Sequence, residues 1–171
     1  MIKTKNLQKI NIPMSEIKNW NKGDIILINA PTGAGKTSFI KNNLRGHCRA
    51  DNQNKKILML SNRDILKQQN MMDFNNDRYL RFKNYQSIEK QIKEHWQIQY
   101  YDYIVADEAH YFFSDSDFNR STDLTLDWLN NQTDSVVILL TATSTLVKEY
   151  YQEVLGRTIK EYQYQPDYNY I

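Results

Sequence analysis

The sequence has little of several residue types, and each shortage excludes a class of protein. One cysteine in 171 residues excludes a disulfide-stabilised scaffold and is typical of a reducing compartment, so we expect a cytoplasmic location. That cysteine and three histidines do not supply the ligands of a structural zinc site. The longest aliphatic run, Val136–Leu140, is far shorter than the roughly 20 apolar residues of a membrane span. No apolar segment follows the lysines of Met1–Lys9, so we expect neither a signal peptide nor a membrane partner.

Glycine and proline are also scarce, with five and three residues, and no Gly/Ser-rich or Pro-rich linker divides the chain. We therefore predict one domain over residues 1–161, followed by a polar, tyrosine-rich extended tail over residues 162–171. Asn42-Asn43 is typical of a helix end or turn. His47-Cys48 has no spaced partners and is expected in a surface loop.

Charge is distributed unevenly along the chain, although the net charge is only +2. Residues 1–60 have 11 Lys or Arg against 3 Asp or Glu, whereas residues 101–171 have 4 against 12. Either the segments interleave in the fold and the asymmetry averages out, or a basic face binds phosphates. Charge alone favours the first interpretation.

Short apolar runs alternate with longer amphipathic stretches. Runs that are apolar throughout indicate strands covered on both faces, as in parallel sheets. We expect strands over Ile25–Ile28, Ile57–Leu60, Tyr79–Tyr85, Tyr103–Ala106 and Val136–Leu140. We expect helices over Lys36–Leu44, Asp64–Met71, Ser87–Trp96, Thr122–Asn130 and Thr145–Leu155. This alternation predicts a three-layer α/β fold with a mainly parallel central sheet.

The strongest motif follows the first predicted strand and begins a helix, which is the context that a phosphate-binding loop requires. Its candidate phosphate-binding residues are Thr32, Gly33, Ala34, Gly35, Lys36, Thr37 and Ser38. Glycines allow backbone N–H groups to converge on phosphate oxygens, and the helix adds its positive end. Lys36 is expected to contact the β- and γ-phosphates, and Thr37 to bind Mg²⁺.

An acidic pair, Asp107-Glu108, follows the predicted strand Tyr103–Ala106 directly. Ligands of parallel sheets bind at the carboxyl ends of the strands. Asp107 is expected to bind Mg²⁺, and Glu108 to orient or deprotonate the attacking water. The alternative for such a pair is a solvated turn.

These residues resemble the first RecA-like lobe of a superfamily-2 helicase of the DEAD/DEAH-box type. Ala30–Thr37 matches the family's Ala-x-x-Gly-x-Gly-Lys-Thr loop, and Asp107–His110 spells its DEAH box. Thr141–Thr143 resembles its Ser/Thr-Ala-Thr motif, and Ser61–Arg63 resembles its nucleic-acid-contacting motif. Asn84–Ser87 resembles a Thr-Tyr-Gln-Ser stretch of some members. The motifs occur in family order across nearly the whole chain.

The resemblance implies a RecA-like P-loop NTPase domain that binds ATP and Mg²⁺, with Lys36, Asp107 and Glu108 as catalytic residues. It implies that three residues couple the nucleotide site to nucleic-acid movement: His110, Thr141 and Thr143. It implies contacts to the backbone of DNA or RNA from Asn62, Arg63, Gln86 and Ser87. The alternatives are structural: capping of strand or helix ends by the threonines, Asn62 and Ser87, and a structural role for His110.

Two features of the family are missing. A glutamine upstream of the phosphate loop often recognises adenine, and Gln8, the only glutamine before this loop, is poorly spaced for that role. The family's second lobe supplies arginines that stabilise charge on the γ-phosphoryl group, and no sequence follows Ile171 to provide it.

Two functions are therefore open. The favoured one is an ATP-dependent helicase or translocase, of which this chain is the ATP-binding and ATP-hydrolysing lobe, expected to be truncated and weakly active without a second RecA-like lobe. The alternative is a naturally short nucleotide-binding switch or adaptor without motor activity. A non-helicase ATPase such as a kinase is disfavoured by the combination of DEAH and Thr-Ala-Thr motifs.

Overall fold

A seven-stranded, all-parallel sheet organises the chain. The computed structural model describes residues 2–7, 10, 12–31, 34–50, 54–62, 77–113 and 120–164. The strands are β1 Ile2–Leu7, β2 Ile25–Asn29, β3 Ile57–Ser61, β4 Leu80–Asn84, β5 Tyr103–Ala106, β6 Val136–Thr141 and β7 Ile159–Tyr164. Their order is β1-β7-β2-β6-β5-β3-β4. All strands therefore end at one edge, the carboxyl edge, and begin at the opposite one, the amino edge.

The five predicted strands, β2 to β6, are confirmed within one or two residues at their ends. The sequence did not predict β1 or β7. Strand β7 lies between β1 and β2, so Tyr162–Tyr164 belong to the sheet. Residues 165–171 lie outside the described residues, and the division at residue 161 stays a prediction.

Helices cover both faces of the sheet, which confirms the three-layer α/β class. Along β2, Ile26 and Ile28 pack into the cluster that contains Phe39. The alternate residues, Ile25 and Leu27, pack into the other cluster. Because successive strand residues point to opposite faces, an all-apolar strand supplies both layers.

The α-helices are α1 Met14–Ile17, α2 Lys36–Ser38, α3 Arg45–Ala50, α4 Tyr85–Lys93, α5 Arg120–Asn130 and α6 Thr145–Glu149. Two π-helical segments, Phe39–Leu44 and Tyr150–Val154, continue α2 and α6, and a 3₁₀ helix spans Ala109–Phe113. No helix in these described ranges is long and apolar enough to cross a membrane.

Two local expectations about the first long helix are wrong. The helix predicted over Lys36–Leu44 continues through the π segment to Ala50, so Asn42 and Asn43 lie inside it. His47 and Cys48 lie in α3 with 3% and 1% of their surface exposed, not in a surface loop. Burial raises the pKa of the Cys48 thiol to about 12. Both side chains point toward the sheet, and the centre of the His47 ring lies 6.1 Å from the centre of the Tyr103 ring at the start of β5.

The helix expected over Ser87–Trp96 is shifted toward the amino terminus. It begins at Tyr85, because the Asn84 side chain accepts a hydrogen bond from the Ser87 backbone N–H and caps the first turn. It ends at Lys93, before His95 adopts a φ of +55°. The helix predicted over Asp64–Met71 lies outside the described residues.

Candidate functional site

The three most specific motifs follow three neighbouring strands at the carboxyl edge. The phosphate loop follows β2, the Thr-Ala-Thr motif ends β6, and the acidic pair follows β5. Since β6 lies between β2 and β5, and adjacent strands lie about 4.8 Å apart, the loop and the acidic pair are about 10 Å apart across the sheet. Residues far apart in sequence are thereby brought to one edge.

The phosphate loop is held at both ends by backbone hydrogen bonds. The Ala30 N–H donates to the Thr141 carbonyl at 2.9 Å, and the Phe39 N–H donates to the Gly35 carbonyl at 2.9 Å. Gly35 has a φ of +94°, a conformation that glycine adopts without strain. A Cβ atom added there would meet no atom within 4 Å, so the space beside the loop is open. Thr32 and Gly33 lie outside the described residues.

Helix α2 begins directly after this turn. Lys36 is its first residue and is half-buried, whereas Thr37 and Ser38 are exposed. The first N–H groups of a helix have no partner within the helix, so they are available to an anion. Phe39 and Ile40 are fully buried, so this helix start is fixed against the core.

Backbone hydrogen bonds fix the acidic pair as well. The Asp107 N–H donates to the Leu60 carbonyl of β3 at 2.8 Å. The Glu108 N–H donates to the Asp107 carboxylate at 3.0 Å. Glu108 has a φ of +51°, which is rare for a residue other than glycine and marks a sharp turn after β5. Both acidic side chains are half-buried and lie beyond the end of the strand.

Tyr85 connects the acidic pair to the edge strand β4, a role that the sequence analysis missed. Its hydroxyl donates a short hydrogen bond to the Asp107 carbonyl, and its ring stacks on Tyr111 at 5.6 Å. Burial, together with the negative charges of Asp107 and Glu108, raises the pKa of Tyr85 well above its ordinary value. The signal in the sequence was the position of Tyr85 within the Asn84–Ser87 motif, from which only Gln86 and Ser87 were predicted to have a function.

His110, Thr141 and Thr143 form one hydrogen-bonded network. The buried Thr141 hydroxyl donates to the Thr143 carbonyl at 3.0 Å and accepts from the Thr143 N–H at 3.0 Å. His110 Nδ1 lies 3.2 Å from the same hydroxyl oxygen. This distance allows a hydrogen bond, and the tautomer of the His110 imidazole decides which of the two groups donates. The structure thus brings together the three residues assigned to coupling.

A second polar contact ties this network to the phosphate-loop strand, and sequence reasoning did not anticipate it. Asn29, the last residue of β2, donates from Nδ2 to the Ser144 hydroxyl at 2.8 Å. Ser144 lies just after the Thr-Ala-Thr motif and immediately before α6. The ends of β2 and β6 are therefore joined by side chains as well as by the sheet. An asparagine that ends an apolar strand was the signal in the sequence.

The residues predicted to contact nucleic acid differ in their surroundings. Asn62 and Gln86 are exposed, at the ends of β3 and β4 along the carboxyl edge. The Ser87 hydroxyl donates to the Asn84 side chain at 2.7 Å, and Asn84, not Ser87, is the residue that caps this helix. Arg63 lies outside the described residues.

The side chains at this edge are chemically suited to Mg²⁺ held together with a phosphate. Asp107 offers a carboxylate and Thr37 an exposed hydroxyl, and Mg²⁺ takes such ligands alongside phosphate oxygens and water. Among the described residues, no group of three or more His, Cys, Asp or Glu could hold a metal ion alone.

Comparisons with known proteins agree with this architecture. The chain is similar in structure to the Hef helicase domain of Pyrococcus furiosus, with a TM-score of 0.57 and 22% identity. That match covers 91% of this chain and 38% of the other, so the chain spans well under half of that relative, and the likeness shows the fold alone. No curated protein matches the chain. The model of the family described as Schlafen group 3, DNA/RNA helicase domain, matches residues 23–163. The chain therefore belongs to this family of helicase domains and has a RecA-like helicase fold.

Proposed function

We propose that this helicase-like lobe binds and hydrolyses ATP as part of a nucleic-acid motor of superfamily-2, DEAH-box type. The observation that supports this most directly is the shared edge. The Gly35 turn with helix α2 and the Asp107-Glu108 pair follow strands on either side of β6. This is the spacing at which one group of residues can bind phosphates and another can act on the terminal one.

In this proposal the phosphate loop, Thr32–Ser38, binds the phosphates of ATP through its backbone N–H groups. The Lys36 ammonium contacts the β- and γ-phosphates, where a charge-assisted hydrogen bond is stronger than a neutral one. Gly35 suits this role because its left-handed backbone leaves open space beside the loop. The positive end of the following helix contributes further.

Hydrolysis is assigned to the acidic pair. Asp107 and the Thr37 hydroxyl would hold Mg²⁺, which neutralises charge on the phosphate oxygens when it is bound. Glu108 would accept a hydrogen bond from the attacking water and take its proton. The bonds from Tyr85 and to Leu60 keep the Asp107 backbone in place, so the two carboxylates need little reorganisation.

The network of His110, Thr141 and Thr143 is proposed to transmit the state of the nucleotide. It connects the turn after β5, which contains the acidic pair, to the end of β6. A change at the γ-phosphate that moves Glu108 would also move His110, two residues along the same turn. The Thr141 hydroxyl can respond because its donor and acceptor bonds can be exchanged between partners.

Binding of DNA or RNA is assigned to Asn62, Arg63, Gln86 and Ser87 through the phosphate backbone. A second RecA-like lobe is part of the proposal, because the chain spans 38% of the Hef helicase-domain chain that it resembles. In related phosphate-loop enzymes, an arginine supplied to the γ-phosphoryl group increases the rate by roughly 10³–10⁵. The isolated lobe is therefore expected to turn ATP over slowly.

The test is ATP·Mg²⁺ binding by calorimetry, with ATP turnover measured with and without single-stranded DNA and RNA. Lys36→Ala is expected to weaken ATP binding by about 10- to 100-fold, the effect of losing one charged hydrogen bond. Lys22→Ala is the matched control, because it removes an exposed lysine from the amino edge. Arg63→Ala should weaken nucleic-acid binding and reduce its salt dependence.

Equal ATP affinity of the Lys36→Ala and wild-type proteins would overturn the assignment of the phosphate loop. Brisk ATP hydrolysis by the chain alone, lost in Lys36→Ala, would overturn the need for a second lobe. ATP binding without turnover, even when a second lobe is supplied, would favour the nucleotide-dependent switch. Unchanged affinity and salt slope in Arg63→Ala would remove that residue from the nucleic-acid interface.

A further inference from the structure

A basic pocket opens at the amino edge of the sheet, opposite the candidate nucleotide site. Its volume is about 560 Å³, within the roughly 300–1,000 Å³ typical of small-molecule sites. The pocket lies where β3 and β4 begin. Its lining residues are Asn54, Lys56, Asp77, Arg78, Tyr79 and Arg81.

The pocket has an excess of positive charge. Three of its lining residues, Lys56, Arg78 and Arg81, are cations, and none has an ion pair within the part of the chain that the structure describes. Asp77 is its one acidic residue, and its carboxylate already pairs with Arg45 at 2.6 Å. The same carboxylate accepts the Tyr79 N–H at 2.7 Å. The negative charge is therefore compensated within the fold, whereas the three cations have no carboxylate partner among the described residues.

Two of these cations have defined positions. The Arg78 guanidinium donates to the Asn54 side chain at 2.7 Å and lies 5.8 Å from the centre of the Tyr79 ring. Arg81 lies close enough to Tyr101 for its charge to lower the pKa of that phenol, against the larger opposite effect of burial. A planar guanidinium held in this way is suited to bidentate binding of a phosphate.

We propose that this pocket binds a phosphate-bearing ligand, and that Arg78 and Arg81 supply the principal contacts. The ligand chemistry is a phosphate or phosphodiester group, from a free phosphate compound or from a single-stranded nucleic acid. The Tyr79 ring packs against the core and lies beside the Arg78 guanidinium, so it helps to hold that cation at the pocket. The site is separate from the proposed ATP site and does not require that site to function.

The test uses two probes on the Lys36→Ala protein, which weakens the phosphate loop as a competing site. Inorganic pyrophosphate is titrated by calorimetry, and a fluorescent ten-nucleotide single strand is titrated by anisotropy. The pocket variant is Arg78→Gln/Arg81→Gln. The control, Lys18→Gln/Lys22→Gln, removes the same charge from exposed positions before β2. Thermal melting checks that each variant is folded.

We expect the pocket variant to bind at least one of the two probes about tenfold more weakly or worse. The affinities of the control variant should stay within about twofold of those of the Lys36→Ala protein. If the oligonucleotide is the ligand, the salt slope should fall by roughly 1.4, because each lost phosphate contact contributes about 0.7 for single strands. Loss of both probes indicates a general phosphate site, and loss of the oligonucleotide alone indicates a nucleic-acid backbone. The pocket variant should bind ATP normally in the presence of Lys36.

Three results would overturn the proposal. The first is wild-type affinity of the pocket variant for both probes, and the second is an equal loss in the control. The third is the absence of measurable binding of either probe to the Lys36→Ala protein. None of these outcomes bears on ATP binding, so failure of the pocket and failure of the proposed ATP site are distinguishable.

Discussion

Selected polar side chains at the two edges of the sheet differ in whether the protein supplies their bonding partners. At the carboxyl edge, the hydroxyl groups of Thr141 and Tyr85 and the amide of Asn29 are bonded to other groups of the protein. At the amino edge, Arg78 and Arg81 line an open pocket with no carboxylate paired to them in the described ranges. The carboxyl-edge groups are thus positioned by the protein itself, whereas these two arginines have no ion-pair partner in the part of the chain that the structure describes.

This difference distinguishes side chains that contribute to folding stability from side chains that contribute to ligand binding. Side chains bonded within the protein contribute to stability, because their loss leaves buried polar groups without partners. Exposed cations contribute little to stability and can contribute to binding. The four predictions below test this distinction through the free energy of unfolding, starting with the largest expected effect.

Alkaline pH should unfold the protein, because buried tyrosines are held in the protonated form. The pKa of Tyr85 is raised well above 10.0 by burial and by nearby carboxylates, and that of Tyr162 is raised to about 12, chiefly by burial. The unfolded chain ionises near pH 10, so this stability is complete below that pH and is lost as the pH rises above it. Denaturant unfolding and tyrosinate absorbance measured against pH would show this. Full ionisation near pH 10 with the fold intact would contradict the prediction.

Lys148→Met should lower the free energy of unfolding by about 3 kcal/mol. Helix α6, which follows the Thr-Ala-Thr motif, places Lys148 2.7 Å from Glu161 of β7, whose side chain is fully buried. Removing the lysine leaves an uncompensated charge inside the fold. Lys22→Met is the amino-edge control, expected to change stability by less than about 0.5 kcal/mol. Equal effects of the two substitutions in urea unfolding would contradict the comparison.

Thr141→Val should lower the free energy of unfolding by about 2 kcal/mol. The substitution preserves shape but removes the hydroxyl that bonds His110 and both backbone groups of Thr143. Thr143→Val is the matched control, since the Thr143 side chain is exposed and should matter by less than about 0.5 kcal/mol. Chemical denaturation of the two variants distinguishes the network from a general effect of the threonine-to-valine change.

Tyr85→Phe should cost about 1 kcal/mol, the typical net contribution of one hydrogen bond. It removes the donor to the Asp107 carbonyl and leaves the stacked ring in place. Tyr101→Phe provides the amino-edge counterpart, because Tyr101 is equally buried but its hydroxyl has no hydrogen-bond partner in the described part of the chain. A larger loss for Tyr101→Phe than for Tyr85→Phe in denaturant unfolding would reverse the expected order.

The sequence predicted those parts of the fold that depend on local pattern. Strands β2, β3, β5 and β6 are mostly apolar runs, and burial on both faces explains why such runs identify them. Strand β4 was identified instead by alternation, with Leu80 and Phe82 buried and Arg81 exposed between them. Strand β7 was missed because it has the polar sequence Ile-Lys-Glu-Tyr-Gln-Tyr. Its charges are accommodated by distant partners, with Lys160 bonded to Asp24 at 2.6 Å and Glu161 to Lys148. Contacts of this kind, which join β7 to the preceding helix and to a residue 136 positions earlier, leave no pattern within the strand itself.

The candidate site shows the same division. The phosphate loop and the acidic pair were recognisable because their residue types and order are specific to their chemistry. Their meeting at one edge followed from the parallel sheet. Tyr85 was not identified, since a tyrosine in a mixed segment is equally typical of packing, and only the fold places its hydroxyl beside the Asp107 carbonyl. The residues predicted to contact nucleic acid, Asn62, Arg63, Gln86 and Ser87, are of types that are common at strand and helix ends, so their sequence is less specific to one function.

The position of β1 has a consequence for the order in which the chain can assemble. Within the described sheet β1 pairs with β7 alone, in a register that joins Ile2 to Ile159. Among the described strands, β1 is therefore made first, and its partner β7 is made last. Closing so long a loop slows folding, because entropy is lost before the contacts form. During synthesis, the segment Ile2–Leu7 therefore has no strand partner in the described sheet until β7 follows β2 to β6.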